Sequence, residues 1–210
     1  MNVFRETYYI YRRNFKVWIA EPVLVVSSVV LSAFMFLAFA VPLGRITQLP
    51  GFPTGNFKSY FTALVVVQAV VSTGSDMAIA MLTDMLSGYF DKLLLAPVHR
   101  SSILLGSLLM AGTRALVQAA AVVLMALAMG VDFKGGPLGI LVVLALGAIF
   151  GLASACLGLI VAIKTRSVQV TQSLWLCLFP LMFLTTGFMP KEFLPGWLKI
   201  AVTLNPFNYV

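Results

Sequence analysis

Apolar runs and short polar breaks alternate along this chain in lengths that suit helices crossing a bilayer. A helix rises about 1.5 Å per residue, so a hydrocarbon core of about 30 Å needs roughly 20 apolar residues. Five stretches qualify, at about 22–41, 60–82, 103–130, 138–163 and 168–189. The pattern before them is different. In residues 3–19, Phe4, Tyr8, Tyr11, Phe15 and Trp18 fall on one helical face, while Arg5, Arg12, Arg13 and Lys16 lie largely away from it. Aromatics on one side and cations on the other predict an interfacial helix over 1–20, lying in the headgroup plane. Pro22 suits the first turn of the next helix.

The expected fold class is therefore all-α integral membrane, in one domain over 1–210: an interfacial helix, five spans and short outer helices. The last of these come from residues 190–206, where Pro190, Pro195 and Pro206 cut the chain into pieces too short to span. They read as re-entrant helices in the outer leaflet. Pro180 in the fifth stretch frees a backbone carbonyl and predicts a kink.

Composition agrees with this reading. The 210 residues are 60% hydrophobic and 10% charged, with a mean hydropathy of +1.00; soluble domains are about 25% charged. The net charge of +7 does not point to nucleic acid, because the basic residues are scattered between apolar runs. They set orientation instead. With the N-terminus inside, Arg5, Arg12, Arg13, Lys16, Lys92, Arg100, Lys164 and Arg166 face the cytoplasm, and Arg45, Lys58, Lys134, Lys191 and Lys199 face out, eight against five. No cleavable signal is expected at the N-terminus. Cys156 and Cys177 lie in apolar runs without metal-ligand spacing, and a single histidine, His99, cannot build a metal cluster.

Residues 83–102 then form a cytoplasmic segment. Leu86, Tyr89, Phe90, Leu93 and Leu94 make an apolar stripe, with Ser87, Gly88, Asp91 and Lys92 opposite. The spacing predicts a short amphipathic helix over 84–97, ended by Pro97. It is either a connecting turn or a docking element.

Charged and polar groups inside the spans need partners. Asp76 lies about 16 residues into the second stretch, near the inner interface, and Arg114 about 11 into the third. The expected arrangement is an ion pair of Arg114 with Asp76 or Asp84. Gln68, Gln118, Gln172 and Ser173 either bond neighbouring helices or line a path. Gly147, Gly151, Ala155 and Gly158 form a small-residue stripe on the fourth stretch that lets helices approach closely, within the chain or between subunits.

The block from Asp84 to Gly106, DMLSGYFDKLLLAPVHRSSILLG, resembles the loop between the second and third spans of ABC type-2 exporter permeases, with the daunorubicin-resistance-like group nearest. A second block, Phe179-Pro180 through Gly187-Phe-Met-Pro190, followed by Leu194-Pro195-Gly-Trp197 and Asn205-Pro206-Phe-Asn-Tyr209, is similar to the family's fifth span and outer re-entrant helices. The resemblance covers nearly the whole chain. It implies a permease subunit in the cell membrane, paired with itself or a homologue. Two copies of a soluble ATPase would dock on its cytoplasmic side, and ATP and magnesium belong to that partner. It also implies that Gly88, Tyr89, Phe90, Asp91 and Lys92 meet the ATPase, supported by Pro97 and Arg100 and extended by Arg12, Arg13 and Lys16. The family's sixth span would lie beyond Val210, so an incomplete chain is expected. Glu21 stands where many relatives carry a basic residue and is given no role.

No GxxxxGK[ST] phosphate loop occurs, so ATP chemistry is assigned to another polypeptide and the chain is not read as an enzyme. The substrate class implied is hydrophobic or amphiphilic: a drug, an antibiotic or a lipid-like molecule, with lipid- or polysaccharide-exporting permeases as relatives to weigh. An ion-gradient-driven transporter would want central acids and internal repeats, and a lipid enzyme a cluster of His, Asp or Glu; neither pattern is present.

Overall fold

The computed structural model describes residues 2–40, 57–131, 133, 135–173, 176 and 196–204. Most of their backbone is helical, with no strand among them. Among the described residues seven helices have both ends defined: α1 (Val3–Ala20), α2 (Pro22–Ala40), α3 (Phe57–Leu86), α4 (Tyr89–Leu95), α5 (Arg100–Ala128), α6 (Gly136–Thr165) and α7 (Gly196–Leu204). Three of them, at Phe61–Leu86, Arg100–Ala128 and Gly136–Thr165, are long and apolar enough to cross a membrane. α2 is helical over the first predicted span. The fifth span is described only in part, with helical backbone at 168–173. Expectations for Cys177, Pro180, the 179–190 block and most of the outer segment lie outside the described residues.

α3, α5 and α6 form the central bundle, and glycine decides how closely they pack. A side chain at Gly158 would meet the Gly74 carbonyl oxygen at 2.4 Å, and one at Gly74 would meet the Ser154 backbone at 2.6 Å. A side chain at Gly151 would meet the Ala115 Cβ at 2.4 Å, and one at Gly147 the Ala119 Cβ at 3.4 Å. The small-residue stripe of α6 is therefore consumed within the chain, against α3 and α5. Contacts advance together along α3 and α6, and in opposite senses along α5 and α6, so α3 and α6 run parallel with α5 antiparallel. The opposite face of α6 carries exposed Leu141, Ile149, Leu157 and Ile160, as suits a helix with lipid on one side.

The core has two main parts. One joins Phe36, Phe61, Val65, Val70, Val122 and Val131 at the end where α3 begins and α5 ends. The other surrounds Met77, Met81, Ile103 and Met110, and here α1 and α4 add Tyr11, Phe15, Trp18, Phe90 and Leu93. A helix is amphipathic at this second end because only one of its faces meets the bundle.

The stretch 84–97 is not one helix. Asp84 and Leu86 belong to the last turn of α3, and α4 begins at Tyr89. Gly88, with φ of +73°, supplies the left-handed turn between them, a conformation costly for any residue with a Cβ. α4 then ends at Leu95, before the extended Ala96 that precedes Pro97.

Candidate functional site

The polar end of the bundle gathers α1, α4 and the start of α5. α1 packs against α5 from Ser102 to Arg114 through a face that the sequence hides. Its buried residues are Glu6, Thr7 and Asn14, while Phe4 and Tyr8 of the aromatic stripe stay exposed. Gly106 makes the approach possible, since a Cβ there would lie 2.7 Å from the Ile10 side chain. Tyr11 adds a hydroxyl contact of 3.2 Å to Thr113. The Thr113 hydroxyl donates to the Leu109 carbonyl, so Tyr11 is the donor.

Glu6 caps a helix that is not its own. Its carboxylate accepts the His99 backbone N–H at 2.9 Å and the Ser102 hydroxyl at 3.0 Å, with His99 Nδ1 also at 3.0 Å. His99 is the N-cap of α5 and makes no side-chain cap of its own. A capping box normally brings a carboxylate from three residues along the same helix back to this N–H; here it comes from α1. The side chain is 1% exposed. The His99 N–H is the chief cause holding the Glu6 carboxyl below its ordinary range, against the opposing pull of burial. The α5 N-terminus, carrying partial positive charge, favours the same ionised state. Sequence reasoning passed over Glu6. The available signal was that it is the sole acid among twenty residues that carry four cations.

Arg13 joins α1 to the α3–α4 corner. Its guanidinium grips Asp84 through both terminal nitrogens, one bond measuring 2.6 Å, and also donates to Asn14 at 3.1 Å. The cation lies 4.1 Å from the centroid of the Tyr89 ring. The Asp84 hydrogen bonds raise the Arg13 pKa further. One pairing expected from sequence changes here. Asp84 is held by Arg13 and not by Arg114, because α1 covers the α3 corner. Arg13 is half-buried and anchors α4, whereas Arg12 and Lys16 are exposed.

α4 is thereby divided. Tyr89, Phe90 and Leu93 are half-buried, the last two against the Met81 cluster. Asp91, Lys92, Leu94 and Leu95 are exposed, Leu95 by 88%. Pro97, His99 and Arg100 are exposed beside them along the chain.

Deeper in the bundle, a cleft of about 420 Å³ opens between α1, α2, α3 and α5, with Trp18, Glu21, Asp76, Ser107, Arg114 and Gln118 on its walls. Asp76 and Arg114 thus share a cleft, yet no ion pair joins them among the described residues. Arg114 lies 5.6 Å from the Trp18 ring centroid instead, and its Nε is buried without a partner. A neighbouring cleft of about 280 Å³ holds Gln68, Ser72 and Gln172 and shares Asp76 with the first. No group of three or more metal-ligating side chains occurs among the described residues.

A family model described as ABC-2 type transporter matches residues 5–210. The chain belongs to the ABC-2 type transporter family. It is 24% identical over 192 residues to the probable doxorubicin resistance ABC transporter permease protein DrrC of Mycobacterium tuberculosis, covering 91% of this chain and 69% of that protein. It is 29% identical over 160 residues to the daunorubicin resistance ABC transporter permease protein DrrB1 of Streptomyces coeruleorubidus, covering 74% and 56%. It is 24% identical over 158 residues to the putative transport permease ycf38 of Cyanophora paradoxa, covering 73% and 53%. No solved structure matches the chain. An ABC-2 permease is a multi-pass membrane protein that works with ATPase subunits and is not itself catalytic. The three apolar helices of this chain are of that kind.

Proposed function

We propose that this ABC-2 permease is the membrane subunit of an exporter, and that α4 is where a separate ATPase takes hold. One observation carries the reading: the inner side of α4 is anchored to α1 and α3 through Tyr89, Phe90 and Leu93, while its outer side presents Asp91, Lys92, Leu94 and Leu95. A seven-residue helix has little stability of its own. Its attachment by Arg13 and Asp84 makes it a rigid handle. A push on α4 reaches α3 through the Gly88 corner, α1 through Arg13, and α5 through the Glu6 cap.

In this reading the chain crosses the membrane five times, α2, α3, α5, α6 and the stretch at 168–189 being the spans. The N-terminus is cytoplasmic and residues 190–206 re-enter the outer leaflet. Two permease subunits, identical or homologous, work with two ATPase subunits, which hold the ATP and magnesium. Hydrolysis there drives an amphiphilic small molecule outward. The names of the DrrC and DrrB1 relatives support a drug-like substrate. Exposed Arg12, Lys16 and Arg100 extend the docking face.

The test is the charge exchange Asp91→Lys with Lys92→Glu. Both side chains are exposed, so insertion and folding should persist. Co-purification of the ATPase and transport-coupled hydrolysis should fall. Efflux and ATPase recovery equal to the parent's would refute the docking assignment.

A further inference from the structure

Arg114 stands in the larger cleft without an acceptor among the described residues. An arginine within a spanning segment is costly and is usually paired, bonded to carbonyls, or drawn out to the interface. Here no hydrogen bond or ion pair reaches the guanidinium among the described residues. The Trp18 ring lies 5.6 Å from the cation, and it offers no oxygen acceptor to the N–H groups. The charges around it are unbalanced in a particular way. Arg13 and Asp84 neutralise each other at the cleft mouth. Asp76 lies eight residues further along α3, about 12 Å deeper. That leaves one cation, Arg114, and two carboxylates, Asp76 and Glu21, facing the same space. A purely anionic guest would meet both carboxylates, and a bare cation would meet Arg114. A dipolar guest satisfies the whole set.

We propose that this cleft binds the head group of a zwitterionic phospholipid, with its phosphate on Arg114 and its ammonium toward Asp76 and Glu21. Gln118, on the same wall of the cleft, carries a side-chain amide that offers a second donor to the phosphate. The tails have a course as well. The second cleft shares Leu31, Asp76 and Ile79 with the first and continues past Met35, Val65 and Ala69, with Gln68 and Ser72 beside them, a mainly apolar track between α2 and α3. Bound lipid would then tie α2 and α3 to the α1–α5 pair at the level of Arg114. The site does not depend on the assignment of α4.

The experiment offers the full chain, purified in detergent, equal amounts of phosphatidylethanolamine, phosphatidylglycerol and diacylglycerol in mixed micelles. Retained lipid is counted by native mass spectrometry. The unsubstituted protein should retain phosphatidylethanolamine over both competitors. Arg114→Gln should lower that retention about tenfold, as expected for loss of a charge-assisted hydrogen bond. Asp76→Asn, which removes one carboxylate, should move the preference toward phosphatidylglycerol. Equal retention of the three lipids by the unsubstituted chain, or a preference for phosphatidylglycerol, overturns the proposal even if both variants fail to fold. Undiminished retention of phosphatidylethanolamine by a folded Arg114→Gln protein overturns it too.

Discussion

Arg13 and Asp84, 71 positions apart in sequence, meet through two parallel hydrogen bonds with the Tyr89 ring against the cation. That one contact fixes α1, the end of α3 and the start of α4 relative to one another. A planar guanidinium serves both partners at once, which an ammonium cannot do. Arg13→Lys should therefore show most of the destabilisation of Arg13→Ala. The pair is partly exposed, at 33% and 20%, so the coupling expected from an Arg13→Ala, Asp84→Ala double-mutant cycle is about 1–2 kcal/mol. Thermal unfolding in detergent would measure it. Additive single effects would show that the contact contributes nothing.

The Glu6 cap should make stability depend on acidity. The folded carboxyl titrates below its ordinary value of about 4.5, chiefly because the His99 backbone N–H holds the ionised form. The sign follows from proton uptake: the unfolded chain binds the proton first as pH falls. The stabilisation is thus complete above about 4.5 and is lost as pH drops through the lowered folded value. Glu6→Gln should remove that part of the acid sensitivity while keeping shape and size. Melting temperature against pH for parent and variant is the measurement, and superimposable curves would contradict the cap.

Gly158 and Gly139 lie on the same helix and should respond oppositely to alanine. A Cβ at Gly158 collides with backbone of α3, whereas one at Gly139 meets nothing within 4 Å. Gly158→Ala should cost about 1–3 kcal/mol through overpacking. Gly139→Ala should be neutral or stabilise by about 0.5–1 kcal/mol, because alanine suits a helix better. Detergent unfolding of the two variants side by side decides it.

Gly88→Ala should strain the corner between α3 and α4 by about 1 kcal/mol or more, given its φ of +73°. Open space surrounds the position, so the cost is conformational and not a clash. Hydrogen exchange across 87–95 should quicken, while α5 and α6 keep their protection. Unchanged exchange in α4 would mean that the corner tolerates a side chain.

Much of this architecture is legible before folding, because hydrophobic runs about 20 residues long have few alternatives in a bilayer. The start of α2 at Pro22, the long apolar helices and the glycine stripe of α6 follow from local spacing alone. The block around Gly88 to Pro97 also carries the family resemblance, and the family match covers residues 5–210. The helix expected over 84–97 was drawn too long, since an apolar stripe can continue across a turn and the left-handed Gly88 leaves no mark in periodicity.

Partner choice was not legible. Arg114 had Asp76 or Asp84 as its expected partner; Asp84 is held by Arg13 instead, and no ion pair joins Asp76 to Arg114 among the described residues. Glu6 sat among cations as an ordinary surface acid until α1 laid it on the α5 N-terminus. Most helix boundaries are local, set by backbone propensity and by how long a run stays apolar, so the chain declares them residue by residue, the Gly88 corner excepted. Which charge meets which depends on the angle at which one helix crosses another. That angle is set by close contacts such as Ile10 on Gly106, made between residues nearly a hundred positions apart.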